Sequence, residues 1–182
     1  DLTSSPVDRQ NILNNPYAVA EIEKAVGLRG IPFEGRSVVL KEQIATFFGV
    51  DPRTIDNYLA NHGDELRQNG YEVVGGKRLK ELKLSISAMT VDETNFVDIS
   101  KAPQVGIFDA RAFLNLSMLL VESDRARQLR QAILDIVIDT INQRTGGGTT
   151  YINQRDEDFL HSSFAEENHR KQFTDRSEER RV

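Results

Sequence analysis

Four polar residues near the middle of the chain have side chains suited to reading a nucleic acid: Lys41, Arg53, Thr54 and Asn57. An arginine can donate two hydrogen bonds to guanine, and an asparagine can pair with adenine in the same bidentate way. Threonine can contact a phosphate or the methyl group of thymine, and lysine can neutralise a phosphate. Asp56 lies among them and would repel phosphate, so a docking face built from these residues must direct Asp56 away. The types and spacing of these residues predict a DNA-contacting surface.

Residues 41–59 have the pattern of two helices joined by a tight turn. Gly49 lies where the chain must turn sharply, a conformation that a residue without Cβ adopts at little cost. Asp51 can cap the following helix, and Pro52 falls at its first position, where its missing N–H is not needed. Apolar residues face each other across the turn: Ile44, Ala45, Phe48, Val50, Ile55, Tyr58 and Leu59. This pattern is typical of a helix-turn-helix that places a helix at residues 52–61 in a DNA major groove. The alternative is an ordinary helical hairpin in a core.

The charge of the chain limits the ways in which it could bind DNA. The formal net charge of −5 over 182 residues argues against a protein that coats nucleic acid through bulk charge. Between Arg29 and Lys80, however, eight basic residues outnumber seven acidic ones. Specific binding needs only a local surplus of this kind. We therefore expect modest affinity for each protomer, raised when a homodimer occupies a two-fold operator in double-stranded DNA.

Composition argues against several other classes of protein. The chain has no cysteine and three scattered histidines, which leaves little for a disulfide, a thiol nucleophile, a metal site or a histidine-based triad. Residues 145–149 are rich in glycine but lack the lysine and the strand-to-helix context of a phosphate-binding loop. No apolar run reaches about 18 residues and no signal peptide is recognisable, so we expect no membrane span and a cytoplasmic location. We expect no catalytic residue, no metal and no cofactor, and a protein that is not an enzyme.

Short β-prone runs surround the two central helices. Residues 38–40 form one such run before the first helix. Residues 71–74 predict a strand that enters a turn at Gly75-Gly76, which makes it a candidate wing. Within residues 81–108 a small sheet is expected, because apolar residues alternate in its β-prone runs: Leu84, Ile86 and Ala88, then Phe96, Val97 and Ile99, followed by residues 105–108.

Further helices are predicted on both sides of this region. One covers residues 17–26 and ends at Gly27, one covers 110–121 after Asp109 as its cap, and one covers 125–143 after Ser123 or Asp124. Glycines at 146–148 form a joint to a polar tail with a candidate helix at 155–173. The expected fold is mainly α with small β elements. It comprises a helix-turn-helix domain at residues 1–80, a mostly helical regulatory or dimerisation domain at 81–143, and a helical C-terminal arm at 144–182.

Two stretches carry a family resemblance. VVLKEQIATFFGVDPRTIDNYL looks like the helix-turn-helix opening of RhuM-like virulence proteins and related phage antirepressor-type regulators. FDARAFLNLSMLL, followed by SDRARQLRQAILDIVI, resembles the helical part of the same group. The resemblance covers residues 36–143 and depends on the order of the motifs rather than on catalytic residues. It implies a cytoplasmic bacterial DNA-binding regulator. The alternative is that Arg125, Arg127 and Arg130 are only the solvated face of a core helix.

Ser163, Glu167 and Asn168 form a second motif, in which Ser or Thr is followed four positions later by Glu and then by Gly or Asn. It resembles the inhibitory motif of antitoxins that silence Fic-type toxins. In that family the Glu pairs with a toxin arginine that would otherwise hold the γ-phosphate of ATP, an exchange that bidentate carboxylate geometry allows. The resemblance implies that Glu167 is the inhibitory carboxylate, supported by Ser163 and Asn168. The alternative is a solvated helix with adjacent acidic residues at 166 and 167. The toxin's own motif, His and Phe followed by a Gly-Asn-Gly-Arg run, is absent here.

Together the two motifs predict a DNA-binding antitoxin. It would repress its own operon and inhibit a Fic or death-on-curing (AMP-transferring) toxin through its C-terminal helix. The alternative is a RhuM-like or antirepressor-like transcriptional regulator without a toxin partner, for which residues 1–143 would suffice. A third class, a structural adaptor that never touches DNA, would tolerate changes at Arg53 and Asn57.

Overall fold

A computed structural model describes residues 1–26, 29–89 and 99–144, and this part of the chain is mainly helical. Its seven helices are α1 (Pro6–Leu13), α2 (Pro16–Val26), α3 (Lys41–Phe48), α4 (Pro52–Gln68), α5 (Gly76–Ser87), α6 (Ala110–Leu119) and α7 (Asp124–Arg144). Its four strands are β1 (Ile31–Phe33), β2 (Arg36–Val38), β3 (Tyr71–Gly75) and β4 (Gln104–Phe108). The predicted mainly α fold with small β elements is therefore confirmed. None of the helices in the described part is both long and apolar enough to cross a bilayer.

The chain divides into two compact units. The central unit contains the described residues between Arg29 and Leu116, which include every strand and α3, α4 and α5. The terminal unit contains α1, α2, α7 and the end of α6. The expected domain boundary after residue 80 falls inside α5.

Two antiparallel pairs of strands build the β part of the central unit. β1 and β2 form a hairpin whose turn residues, Glu34 and Gly35, have φ values of 52° and 78°. Positive φ at both central residues is what a two-residue type I′ hairpin requires. β3 pairs with β4 along its whole length, from Tyr71 opposite Phe108 to Gly75 opposite Gln104. Val39 also exchanges two backbone hydrogen bonds of 2.9 Å with Phe108, which joins the two pairs of strands.

One apolar core lies between these strands and α5. Its buried residues come from the four strands, from α5 and from the residue that precedes α3: Ile31, Phe33, Val38, Leu40, Val74, Leu79, Leu82 and Ile107. Burial of this size of side chain contributes roughly 1.5–3 kcal/mol for each residue. The core thus fixes the strands against one face of α5.

The structure corrects two expectations for residues 71–99. The strand predicted at 71–74 is present as β3, but Gly75-Gly76 does not turn it into a wing hairpin. Gly76, with φ of 58°, instead begins α5, and the partner of β3 is the distant β4. The strand predicted around Leu84, Ile86 and Ala88 is wrong because these residues belong to α5 and its C-terminal cap.

Helical spacing explains why the β-like alternation in this segment is misleading. Leu79, Leu82 and Ile86 face the core at helical intervals, whereas Leu84 is 70% exposed. Ile99 lies outside any strand, and Phe96 and Val97 lie outside the described residues.

Capping residues define the helices of the terminal unit. The Ser5 hydroxyl accepts a hydrogen bond of 3.2 Å from the Asp8 N–H, with Pro6 in the first turn of α1. α1 is absent from the predicted elements, although this Ser-Pro pair is a recognisable start signal. α2 and α7 pack together and lie where they were predicted. Of the two candidate caps for α7, Ser123 fills the role, since its Oγ accepts from the Ala126 N–H at 3.2 Å.

The arginines of α7 differ in what they contact. Arg130 donates to the backbone oxygens of Ser117 and Leu120, at 3.1 and 2.5 Å, and so satisfies carbonyls at the end of α6. Arg127 forms a salt bridge of 3.5 Å with Asp124 on the surface of its own helix. Arg130 therefore has a structural role beyond a solvated helix face.

Candidate nucleic-acid interface

Three local features determine the turn between α3 and α4. Gly49 has left-handed φ and ψ of 70° and 36°, and the Val50 N–H returns to the Ala45 oxygen at 2.9 Å. Asp51 Oδ1 accepts the Arg53 N–H at 2.8 Å, and Pro52 occupies the first turn of α4. The last turn of α3 and the start of α4 therefore lie where the sequence predicted them.

Buried side chains hold α3 against α4 and against α6. Ile44 and Ile55 have no exposed surface, and Ala45, Phe47 and Phe48 are also buried. The rings of Phe47 and Phe48 lie 5.7 and 5.6 Å from the ring of Phe113 in α6, within the range of favourable aromatic contacts. Tyr58 and Leu59, expected in the same apolar stripe, are half-buried. The angle between the two helices is thus fixed by packing on their inner sides.

The outer side of α4 is open to solvent over its first half. Arg53 is 87% exposed at its side chain, Asn57 is exposed, and their spacing of four residues puts them on one helix face. Thr54 is half-buried at the margin of that face. The structure therefore brings Arg53 and Asn57 together and gives Thr54 a more peripheral place.

Lys41 joins this face through an ion pair that spans the two helices. Its Nζ lies 2.8 and 3.1 Å from the two carboxylate oxygens of Asp56. The hydrogen bond to Asp56 raises the pKa of Lys41 above its usual value, so the lysine stays charged. The expectation that Asp56 would be directed away from the other predicted residues is wrong, because it binds one of them. We call Lys41, Arg53, Asp56 and Asn57 the contact face.

Arg53 is also paired with a carboxylate. Its Nε and Nη2 each lie 3.3 Å from an oxygen of Asp51, the residue that caps α4. The guanidinium and the Arg53 N–H together lower the pKa of Asp51. Both cations of the contact face are thus matched by acids within the chain. Exposed ion pairs of this kind contribute little free energy, so a phosphate or a base edge can replace either carboxylate.

A buried polar network anchors the second half of α4. The Asn69 amide donates 3.0 Å hydrogen bonds to the Glu65 oxygen and to Asn115 Oδ1 in α6. Arg111 donates to Asn69 Oδ1 at 3.0 Å, and the Asn115 amide donates to the Glu65 carboxylate. Sequence reasoning missed this network, although Asn115 stands out as a polar residue within the apolar run of α6. This network holds the C-terminal end of α4 against α6, while the N-terminal end of α4 stays exposed.

α4 also runs further than predicted. The predicted end at residue 61 coincides with a kink at His62, where φ and ψ are −128° and 22°, and the helix then resumes as far as Gln68. The exposed first half and the anchored second half are therefore separated by this kink.

Comparison with known proteins gave no further assignment. No protein-family model, no curated protein and no solved structure matched the chain. Ser163, Glu167 and Asn168 of the inhibitory motif lie outside the described residues, as do residues 146–148 and 155–173.

Replacing Asp56 by asparagine should strengthen binding to DNA of arbitrary sequence, because the change frees the charge of Lys41 for a phosphate. The expected gain is up to about five-fold, the scale of one exposed ion pair, with a steeper dependence on salt. Fluorescence anisotropy with a scrambled duplex measures it. Asp64→Asn is the matched control, since it removes the same charge from an exposed pair with Arg67 in the second half of α4. Equal effects of both variants would contradict a special role for Asp56.

Proposed function

We propose that the chain is a sequence-specific binder of double-stranded DNA in which α3 and α4 form a helix-turn-helix. The observation that carries this proposal is the asymmetry of α4. Ile55 is fully buried on its inner side, while Arg53 and Asn57 are exposed on its outer side next to the Lys41–Asp56 pair. A helix that is both firmly anchored and open along its first turns has the form of a recognition helix.

The chemistry of the contact face suits base edges as well as phosphates. The B-DNA major groove, about 12 Å wide, admits one α-helix. Arg53 matches the two acceptors of guanine, and Asn57 matches the donor and acceptor of adenine. Lys41, at the start of α3, matches a phosphate beside the groove. α3 therefore offers a phosphate contact that positions the protein, and α4 offers base contacts that select the sequence.

A two-fold arrangement of protomers is part of this proposal. Binding through so few contacts gives each protomer modest affinity, and a dimer on a palindromic site doubles the contacts. Leu134 and Ile138, one turn apart on α7, are 38% and 56% exposed and offer an apolar surface for a second copy. The net charge of the whole chain, −5, disfavours binding to DNA through bulk electrostatic attraction in place of such specific contacts.

Selection of duplexes from a randomised pool by the full chain tests the proposal. A sequence-specific binder should enrich a short consensus, and a dimer should enrich it as two half-sites separated by about one helical turn or a multiple of it. Enrichment of no sequence over repeated rounds would overturn the proposal and favour the structural adaptor.

We further propose that the C-terminal arm inhibits a Fic-type toxin, as the motif at Ser163, Glu167 and Asn168 suggests. Glu167→Gly should weaken inhibition of the toxin's AMP transfer about 30-fold or more, because it leaves the toxin arginine without its carboxylate. DNA binding should be unchanged. Glu166→Gly is the matched control, since it removes the neighbouring carboxylate.

Inhibition that persists in the Glu167→Gly variant would leave the alternative, a transcriptional regulator without a toxin. That alternative makes its own prediction, because residues 1–143 alone should then repress transcription as fully as the whole chain does. These two experiments thus distinguish the antitoxin from the regulator without a toxin, and neither changes a residue of the contact face.

A further inference from the structure

We propose that Tyr71 is a further DNA-contacting residue, whose phenolic O–H donates a hydrogen bond to the phosphate that Lys41 neutralises. This inference rests on the proposed function, because it concerns the same duplex. It adds a neutral hydrogen-bond donor from β3 to a contact face whose members all come from α3 and α4.

The two sides of the β3–β4 pair face different parts of the central unit. Successive side chains of a strand point to opposite sides of it. Glu72 binds Arg78 of α5 at 2.8 Å, and Val74 is buried in the core that includes α5. Tyr71 and Val73 therefore lie on the other side of the strand pair, away from α5.

Lys41 begins α3 on the same side as Tyr71. Val39 exchanges backbone hydrogen bonds with Phe108, which is the residue opposite Tyr71 in β4. Leu40 is extended, with φ of −95° and ψ of 158°, and its side chain is buried in the core beside α5. Alternation along this extended stretch therefore places Val39 and Lys41 on the side of Tyr71.

Gly106 allows the phenol to lie across β4. A Cβ at Gly106 would collide with the Tyr71 hydroxyl and would lie 2.9 Å from Cε1 and Cζ of the ring. The centre of this ring lies 4.7 Å from that of the Phe108 ring. Because the stretch before α3 runs antiparallel to β4, a ring that leans from Phe108 to Gly106 leans toward Lys41. Val73, on the same side of the strand, is 53% exposed, so this side is open to solvent beside the ring.

The Tyr71 hydroxyl can serve as a donor to a phosphate. Within residues 1–26, 29–89 and 99–144 it makes no hydrogen bond, although the side chain is half-buried. Burial raises the pKa of Tyr71, so the phenol stays protonated at neutral pH. The charges of Lys41, Asp56 and Arg67 also act on the phenol, as expected for a group beside the contact face. A protonated phenol donates one hydrogen bond, and an ionised phosphate oxygen is a strong acceptor.

A contact from a neutral donor to a phosphate has its own experimental signature. Phosphate contacts raise affinity for every sequence alike. A lysine also releases counterions and steepens the dependence of log K on log salt by about 0.9, whereas a neutral phenol releases none. Loss of the Tyr71 hydroxyl should therefore weaken binding to every duplex without altering the salt slope.

The test compares Tyr71→Phe with Tyr17→Phe in the full chain. The first variant keeps the ring that packs on Phe108 and removes only the hydroxyl, and the second removes the same group from α2. Anisotropy titrations between about 50 and 200 mM salt use the duplex selected from the randomised pool and a scrambled duplex. Tyr71→Phe should lose about ten-fold in affinity for both, the scale of a hydrogen bond to a charged group, with the salt slope of wild type. Tyr17→Phe should match wild type.

Lys41→Met tests whether the lysine and the phenol bind one phosphate. This variant should reduce the salt slope by about 0.9. If both groups bind the same phosphate, the variant Lys41→Met/Tyr71→Phe should lose less affinity than the product of the two single losses. Losses that multiply would show that the two groups act independently, which would overturn the shared phosphate.

The failure of this inference and the failure of the proposed function look different. If wild type binds the selected duplex and Tyr71→Phe loses no more affinity than Tyr17→Phe, the phenol contact is refuted while the helix-turn-helix stands. A loss confined to the selected duplex would refute a phosphate as the acceptor. If wild type binds neither duplex, both proposals fall.

Discussion

Replacing Arg53 and Asn57 together by alanine should lower affinity for the selected duplex by about 100-fold or more, since one bidentate base contact is worth roughly ten- to hundred-fold in discrimination. Both side chains are exposed on one face of α4, and neither packs in the core, so the fold should be unaffected. Affinity for a scrambled duplex should change much less. The single variants should each relax preference at one base pair, guanine for Arg53 and adenine for Asn57.

Anisotropy titration with the selected duplex and its single-base variants measures these effects. Arg67→Ala/Gln68→Ala is the matched control, because it removes the same two chemical groups from exposed positions in the second half of α4. Equal losses in both double variants would show that α4 acts through its charge or its fold rather than through these side chains. A structural adaptor would show no loss in either.

Gly70→Ala should destabilise the chain by about 3 kcal/mol, the sum of backbone strain and a lost helix cap. Gly70 has φ of 114°, and a Cβ built there would collide with the carboxylate of Asp109. Asp109 Oδ1 accepts the Ala112 N–H at 2.9 Å and so caps α6, while Oδ2 binds Arg36 at 3.2 Å. The added methyl group must therefore displace the Asp109 carboxylate, which both caps α6 and binds Arg36.

Thermal unfolding followed by circular dichroism measures this change as a fall in Tm of roughly 6–12 °C. Gly35→Ala is the control, with φ of 78° and no atom within 4 Å of the added Cβ. It should cost only about 1 kcal/mol, from the left-handed conformation alone. A Gly70→Ala variant as stable as Gly35→Ala would show that Asp109 moves aside without cost. Asp109→Ala in the same chain should recover part of the loss, because it removes the clash.

The elements that sequence reasoning located are those with local signals. The turn of α3 into α4 needs a left-handed residue, a helix cap and a first turn that accepts proline, and Gly49, Asp51 and Pro52 supply these within four positions. α7 has Ser123 as a cap and an apolar stripe with helical spacing. Such features act over a few residues, so neighbours in sequence are enough to predict them.

The elements that it missed depend on partners far along the chain. β3 pairs with β4 some thirty positions later, and nothing local in residues 71–75 specifies that partner. The alternation of Leu84, Ile86 and Ala88 favoured a strand, but burial of Leu79 and Leu82 against the distant hairpin decides for a helix. The pairs that matter for the contact face, Lys41 with Asp56 and Asn69 with Asn115, also join different helices. The residue types therefore predicted which groups of DNA the contact face could bind. The fold was needed to show which of its charged side chains pair with each other.

A site-directed crosslink tests most directly whether α4 enters the groove. The chain has no cysteine, so Asn57→Cys introduces a single thiol. A duplex with a thiol-tethered base at the selected adenine should form a disulfide with this variant in high yield, and moving the tether by half a helical turn should abolish it. Gln131→Cys, on an exposed position of α7, is the control for random collision. Crosslinking at position 57 no better than at position 131 would contradict recognition of DNA by α4.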